Sequence, residues 1–165
     1  MSGKQSLKIL LADDHVLVRE GLALLLKSLP SVELVGQVSN GAELIREARL
    51  LEPHIIITDL RMPVKTGVEA LREINAWKKK IKCMVISMYE DEYSLVDALE
   101  AGAIGYINKN AEKEEFLDAV QSVYQGIPYY CKTTSVRMVR LLARSSFNPY
   151  SPVKTSDFSA RELKI

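Results

Sequence analysis

A chain of 165 residues that is 47% hydrophobic and 26% charged is long enough for one ordinary domain with an appendage, and too apolar to be disordered overall. Its two distant cysteines, Cys83 and Cys131, form neither a disulfide framework nor a metal-ligand pattern, and the polar start MSGKQSLK and the lack of a spanning apolar run point to a cytoplasmic protein with no membrane partner. The net charge of +1 is unevenly spread: residues 1–127 hold 15 basic and 19 acidic residues, residues 128–165 hold 7 and 2, and either a solvated basic linker or a segment near nucleic acid accounts for the difference.

Apolar bursts alternate with helical spacing along the chain. LKILLA (7–12) reads as a buried strand, and residues 16–29 as an amphipathic helix stopped before Pro30. Residues 32–38 are strand-like, and 41–51 are helical up to Pro53. HIIIT (54–58) is the most continuous β-branched run, as expected of a strand covered on both faces. A helix over 67–77, a strand over 82–88, a helix over 92–102, a strand over 104–108 and a helix over 112–126 follow. Five strands alternating with five helices predict a three-layer, doubly wound α/β fold with a parallel sheet and right-handed crossovers. Beyond it, Val136, Val139 and Leu142 or Ala143 oppose Arg137, Arg140 and Arg144, which predicts a linker helix over 133–145. Residues 147–157 are rich in turn formers and read as a hinge. Ser159-Ala160-Arg161-Glu162 is a capping box that opens another helix.

An open parallel sheet binds ligands beyond the carboxyl ends of its strands. The first predicted strand ends there in Asp13-Asp14, the third in Asp59, the fourth near Ser87 and the fifth in Lys109. Taken singly, each has an ordinary explanation as a turn residue, a cap or a solvated charge. Together, three carboxylates at one edge repel one another unless a cation or a proton intervenes. Mg²⁺ fits, because it takes oxygen ligands and keeps several waters, and an ammonium at Lys109 counters a phosphoryl group as a point charge.

These residues carry a resemblance. ADD (12–14), TDLRMP (58–63) with Gly67, VISM (85–88) and GAIGYINK (102–109) together resemble the receiver domain of two-component response regulators over roughly residues 5–127. The resemblance implies a flavodoxin-like fold of strand order 2-1-3-4-5. It also implies a signalling protein rather than an enzyme, with Asp59 accepting a phosphoryl group from a sensor histidine kinase. In that family the acidic pair holds Mg²⁺, here Asp14 directly and Asp13 through water, with Asp59 and the backbone carbonyl of Arg61 completing the protein ligands. Ser87 matches the hydroxyl that bonds the phosphoryl oxygen, Tyr106 the aromatic that turns inward with it from a solvent-facing rest position, and Lys109 the phosphate-binding lysine. Met62-Pro63 and Gly67 match the turn that shapes the loop after the phosphorylated residue.

SMYEDE (87–92) is similar to the NarL/FixJ branch, whose outputs bind DNA, and FSARELKI (158–165) is similar to the opening of that branch's helix-turn-helix domain. The resemblance thus divides the chain into a receiver (1–127), a linker (128–157) and the start of a DNA-binding domain (158–165). No recognition helix follows Glu162 in this sequence, so DNA is expected as a partner of a full-length protein only. The receiver also admits a homodimer. His15, next to the acidic pair, reads either as a metal ligand or as an exposed start-of-helix residue, and hard Mg²⁺ favours the second. Asn110 stands where many receivers have proline, and a cis bond there costs a non-proline residue roughly 2.5–4 kcal/mol, which leaves that isomer open.

Two rivals are weaker. A haloacid-dehalogenase-type phosphotransferase expects Asp-x-Asp, and Asp59-Leu60-Arg61 lacks the second acid. A phosphate-independent receiver-like interaction module usually loses an acid or the lysine, and all are present here. Neither glycine-rich nucleotide motif occurs.

Overall fold

All side chains from Ile9 to Ala12 and from Ile55 to Thr58 are buried, which requires strands covered on both faces. The computed structural model of the chain describes residues 5–130. In chain order it contains β1 (Leu7–Ala12), α1 (Val16–Lys27), β2 (Val32–Val38), α2 (Gly41–Leu51), β3 (Ile55–Thr58), α3 (Gly67–Asn75), β4 (Lys82–Ser87), α4 (Glu92–Glu100), β5 (Gly105–Asn108), α5 (Lys113–Tyr124) and β6 (Tyr129–Tyr130). The expected alternation is present throughout. The linker helix expected over 133–145 and the capping box at Ser159 lie outside the described residues.

The strands form one parallel sheet of order β2-β1-β3-β4-β5-β6. This is the expected order with a sixth strand added at one edge, where five were expected. The reason is local: Gly126 takes a left-handed φ of 78° after α5, the chain turns back, and the Tyr129 N–H donates to the Ile104 carbonyl at 2.9 Å. The backbone groups on the outer side of β5 are thereby paired rather than left as a bare edge.

Period-2 alternation divides the apolar residues between two cores. Ile9, Leu11, Ile55, Ile57, Met84, Ile86 and Ile107 face α1 and α5, where they meet Leu22, Leu26, Phe116 and Val120. Leu10, Ala12, Ile56 and Val85 face the other way, against Leu44 of α2, Leu71 and Ile74 of α3, and Leu95 and Leu99 of α4. Burial on both faces holds the carboxyl ends of the strands at fixed mutual positions, and those ends carry the polar residues. Among the described residues no helix is long and apolar enough to cross a membrane.

The loop from β3 to α3 is tightly wound. The Gly67 N–H donates to the Leu60 carbonyl at 2.9 Å, and a Cβ on Gly67 would stand 1.8 Å from the Asp59 carbonyl oxygen, so no other residue fits there. Val64 in the same loop has a φ of 68°. That region costs an L-residue about 1–2 kcal/mol, and it is least favourable for a β-branched one. Val64 is 84% exposed, so replacing it sacrifices little packing. Val64→Gly removes the strain at an entropic cost of roughly 0.5–1 kcal/mol. The expected net result is a rise in Tm of roughly 2–4 °C by calorimetry; a fall would show that the valine is not strained.

Candidate functional site

Strand register assembles the site. Ala12 and Thr58 are partners across β1 and β3, and the Asp59 N–H donates to the Ala12 carbonyl at 2.9 Å. Asp13 and Asp59 therefore leave adjacent strands side by side. Ser87 and Asn108 are likewise partners, and the Lys109 N–H donates to the Ser87 carbonyl at 3.0 Å. All of this lies at the carboxyl edge around β1, where the strand order reverses and open α/β sheets form their binding crevice.

Asp13, Asp59 and Ser87 are buried, and the side chain of Asp14 is about one-third exposed. The ammonium of Lys109 reaches Asp59 Oδ2 at 2.9 Å and the two Asp13 oxygens at 3.1 and 2.9 Å. The other Asp59 oxygen, Oδ1, accepts from the Leu60 N–H at 2.7 Å. Asp14 Oδ1 is buried and accepts no hydrogen bond. Burial pushes Asp59 above the ordinary carboxyl value, and the hydrogen bond and charge of Lys109 only partly oppose it. For Lys109 burial pulls downward, but hydrogen bonds and charges from Asp59 and Asp13 outweigh it and hold the ammonium above the usual lysine range. The exchange is unequal: the lysine gains from two carboxylates, whereas Asp59 loses more to burial than one ammonium returns.

Asp13, Asp14, His15 and Asp59 each present one ligand atom, and all four atoms lie within 4.8 Å of one another. The buried, unbonded oxygen of Asp14 faces into this group's space, and the three carboxylates are the hard oxygen donors that Mg²⁺ takes. The residues present therefore fit the ion.

His15 stands at the exposed start of α1, as one of the two readings had it. It is the N-cap residue of α1, without a side-chain cap bond, and its exposed ring rests on the acidic group, with Nδ1 at 3.1 Å from Asp13 Oδ1 and 3.0 Å from Lys109 Nζ. Arg61 lies two residues after Asp59; its guanidinium stacks on the ring of Tyr89, 4.1 Å from the centroid. No cis peptide bond occurs among the described residues, so Lys109–Asn110 is trans.

Tyr106 differs from expectation. Its ring is 1% exposed, not solvent-facing, and its hydroxyl donates to the Tyr89 carbonyl. The ring belongs to the apolar core that also holds Val85, Leu95 and Val96, and the backbone carbonyl satisfies its one polar group, so the inward position is stable on its own. Burial raises the phenol well above its usual value.

Three contributors were not legible in the sequence. Arg19, on the first turns of α1, donates to the Asp13 carbonyl at 2.6 Å and anchors the acidic loop. Tyr89 receives Tyr106 at its carbonyl, and its N–H donates to Ser87 Oγ at 3.0 Å. Thr58 Oγ1 donates to the Asp59 carbonyl at 2.9 Å. Only the i, i+2 spacing of Ser87 and Tyr89 could have signalled one of them, as a hydroxyl turn.

Comparison with known proteins agrees with this arrangement. The family model described as the response regulator receiver domain matches residues 9–121. The response regulator GacA of Pseudomonas aeruginosa PAO1 is 33% identical over 160 residues, covering 96% of this chain and 73% of its own length. The transcriptional regulatory protein LiaR of Bacillus subtilis 168 is 32% identical over 159 residues, covering 96% and 74%. Among solved structures, a LuxR-family two-component response regulator from Aurantimonas sp. SI85-9A1 superposes with a TM-score of 0.77 at 28% identity, covering 82% of this chain and 97% of that one. The parallel sheet, its order and the matched stretch from β1 to α5 together place the chain in the receiver-domain family of two-component response regulators.

Proposed function

We propose that Asp59 is the phosphorylated residue, and that residues 1–127 act as a receiver for a sensor histidine kinase. The observation that carries this reading is the position of Asp59: buried, beside Asp13 at the sheet's switch point, and hydrogen-bonded to Lys109. A carboxylate oxygen of Asp59 attacks phosphorus, the bond from phosphorus to the kinase imidazole nitrogen breaks, and that nitrogen leaves with the electron pair. Positioning and charge neutralisation supply most of the catalysis. The Leu60 N–H orients one Asp59 oxygen. Lys109 stands within reach of the incoming phosphoryl oxygens, and the Ser87 hydroxyl is at the end of the next strand. Asp13, Asp14, Asp59 and the Arg61 carbonyl would hold Mg²⁺, which when bound neutralises charge on the transferring group. The chain is its own substrate in this reading, and it is a cytoplasmic signalling protein rather than an enzyme with a released product.

We read residues 128–157 as a linker and 158–165 as the start of a DNA-binding domain, with transcription as the output; relatives named as transcriptional regulators support this. The output route starts at Tyr89. A phosphoryl group on Asp59 draws in the Ser87 hydroxyl, which now accepts from the Tyr89 N–H, and Tyr106 follows because its hydroxyl is on the Tyr89 carbonyl. Tyr106 is in register with Tyr130, so β6 carries the change towards the linker.

Intact mass measurement after incubation with acetyl phosphate and Mg²⁺ tests the acceptor. The expected gain is one phosphoryl group, lost in Asp59→Asn; full labelling of that variant would assign the chemistry elsewhere, and no labelling of the parent would favour a phosphate-independent module.

The raised pKa of Asp59 gives a stability prediction. A carboxyl that holds its proton more tightly when folded loses folding stability as pH rises between its unfolded value, about 3.9, and its folded one. Asp59 thus costs stability at neutral pH. Metal-free Asp59→Asn should melt higher than the parent at pH 7, with the advantage shrinking as pH falls towards about 4; an advantage that grows on acidification has the wrong sign.

Hydrogen exchange tests the route through β6. On phosphorylation the amides of Tyr89 and Tyr129 should change protection, while those of β2 (Val32–Val38) stay as they were. An unchanged Tyr129 amide would disconnect β6 from the switch.

A further inference from the structure

His15 is more than an exposed cap. Its Nδ1 lies 3.1 Å from Asp13 Oδ1, 3.5 Å from Asp14 Oδ1 and 3.7 Å from Asp59 Oδ2. Around a cation with bonds of about 2.1 Å, neighbouring donors stand about 3.0 Å apart and opposite donors about 4.2 Å. The four ligand atoms, all within 4.8 Å of one another, are spaced for one shared ion after small side-chain adjustments. The His15 ring can make such an adjustment, because its side chain is 61% exposed and its Nδ1 is not engaged in capping α1. Lys109, whose ammonium can only donate, approaches the same Nδ1 at 3.0 Å. The ring nitrogen is thus held against both the ammonium and the Asp13 carboxylate, and in the neutral form that carries its proton on Nε2 it offers a lone pair to a cation shared with that carboxylate.

The chain's only other histidine, His54, is differently placed. Its Nδ1 accepts the Lys8 N–H at 2.9 Å, at the start of β3 and thus at the opposite end of the sheet from the carboxylates.

We propose that His15 is a fourth protein ligand, and that it gives the acidic site a preference for late first-row divalent cations such as Co²⁺ and Ni²⁺ over Mg²⁺. The inference rests on the reading of Asp13, Asp14 and Asp59 as a cation site. Mg²⁺ is hard and gains little from imidazole, so with Mg²⁺ bound His15 leaves its place to water. A borderline cation gains from nitrogen, and its affinity rises along the series from Mn²⁺ to Ni²⁺. One imidazole beside three carboxylates thus separates the two classes of ion without changing the oxygen donors.

The test is calorimetric titration of the untagged full chain with Mg²⁺ and, separately, Ni²⁺, in the parent, His15→Ala and Asp14→Ala. His15→Ala should weaken Ni²⁺ binding tenfold or more and leave Mg²⁺ affinity within about twofold, whereas Asp14→Ala should weaken both. A parallel measurement needs no variant: with two histidines in the chain, substoichiometric Ni²⁺ should broaden the NMR ring signals of His15 and spare those of His54. Equal effects of His15→Ala on the two ions, or broadening of His54 alone, overturn the proposal while leaving the acidic site intact. Unchanged binding of both ions in Asp14→Ala places the cation elsewhere and removes the underlying reading with it.

Discussion

Two buried carboxylates on neighbouring strands need a cation between them. Asp13 and Asp59 are brought together by the pairing of Ala12 with Thr58, and at an effective dielectric of about 20 two like charges about 4 Å apart repel by roughly 4 kcal/mol. The Lys109 ammonium, bonded to both, is what makes the arrangement tolerable in the folded chain. It does not complete the neutralisation. Three carboxylates against one ammonium leave two formal negative charges, the charge that one divalent cation cancels. The same lysine is thus the structural counter-ion of both buried carboxylates, and a divalent cation at the acidic group would relieve it of part of its duty to Asp13.

The fold is built to keep this edge stiff while leaving the loops to respond. Both faces of β1 and β3 are buried, so the strand ends cannot drift without opening one of the two cores. The loops above them are tied together at Tyr89. Its N–H reaches Ser87 Oγ, its carbonyl receives Tyr106, and its ring carries the Arg61 guanidinium. Arg61 is on the loop of Asp59, Ser87 ends β4 and Tyr106 is on β5, so one residue contacts three segments at the carboxyl edge of the sheet. A displacement of any of them is felt by the others through bonds that are directional and already formed.

Much of this was readable in the sequence, for identifiable reasons. Ile55–Thr58 and Lys82–Ser87 are apolar runs bounded by polar residues, and their partners in space follow from the alternation with helices. Asn40, Thr66 and Asp91 accept from the backbone N–H three places on and so fix where α2, α3 and α4 begin. The acids, the hydroxyl and the lysine were legible because strand ends in a parallel sheet all point one way. What was not legible depends on tertiary pairing. β6 is two tyrosines, too short for any periodicity, and it is a strand only because the edge of β5 is beside it. The inward Tyr106 depends on a carbonyl seventeen residues away in the chain. The left-handed backbone of Val64 defies its residue type, because closure of the loop around Gly67 decides it.

The contacts at Tyr89 also bound how strongly the site can signal. A ligand shifts a conformational equilibrium only by the difference in its interactions with the two states. Two hydrogen bonds at about 1 kcal/mol each and one cation–π contact at about 0.5–1 kcal/mol connect the surroundings of Asp59 to the β4–α4 loop and β5. If all were rearranged on phosphorylation, the coupling would be about 3 kcal/mol, or on the order of a hundredfold, the upper part of the range typical of allosteric proteins. Because Tyr106 is already inside, part of that sum has been spent in the resting chain. A phosphoryl group on Asp59 would have less left to change at β5 than if the ring began in solvent. With a phosphoryl group on Asp59, the rest of the response would come from the neighbouring loop of Arg61 and the end of β4 at Ser87, and from the register of β5 with β6.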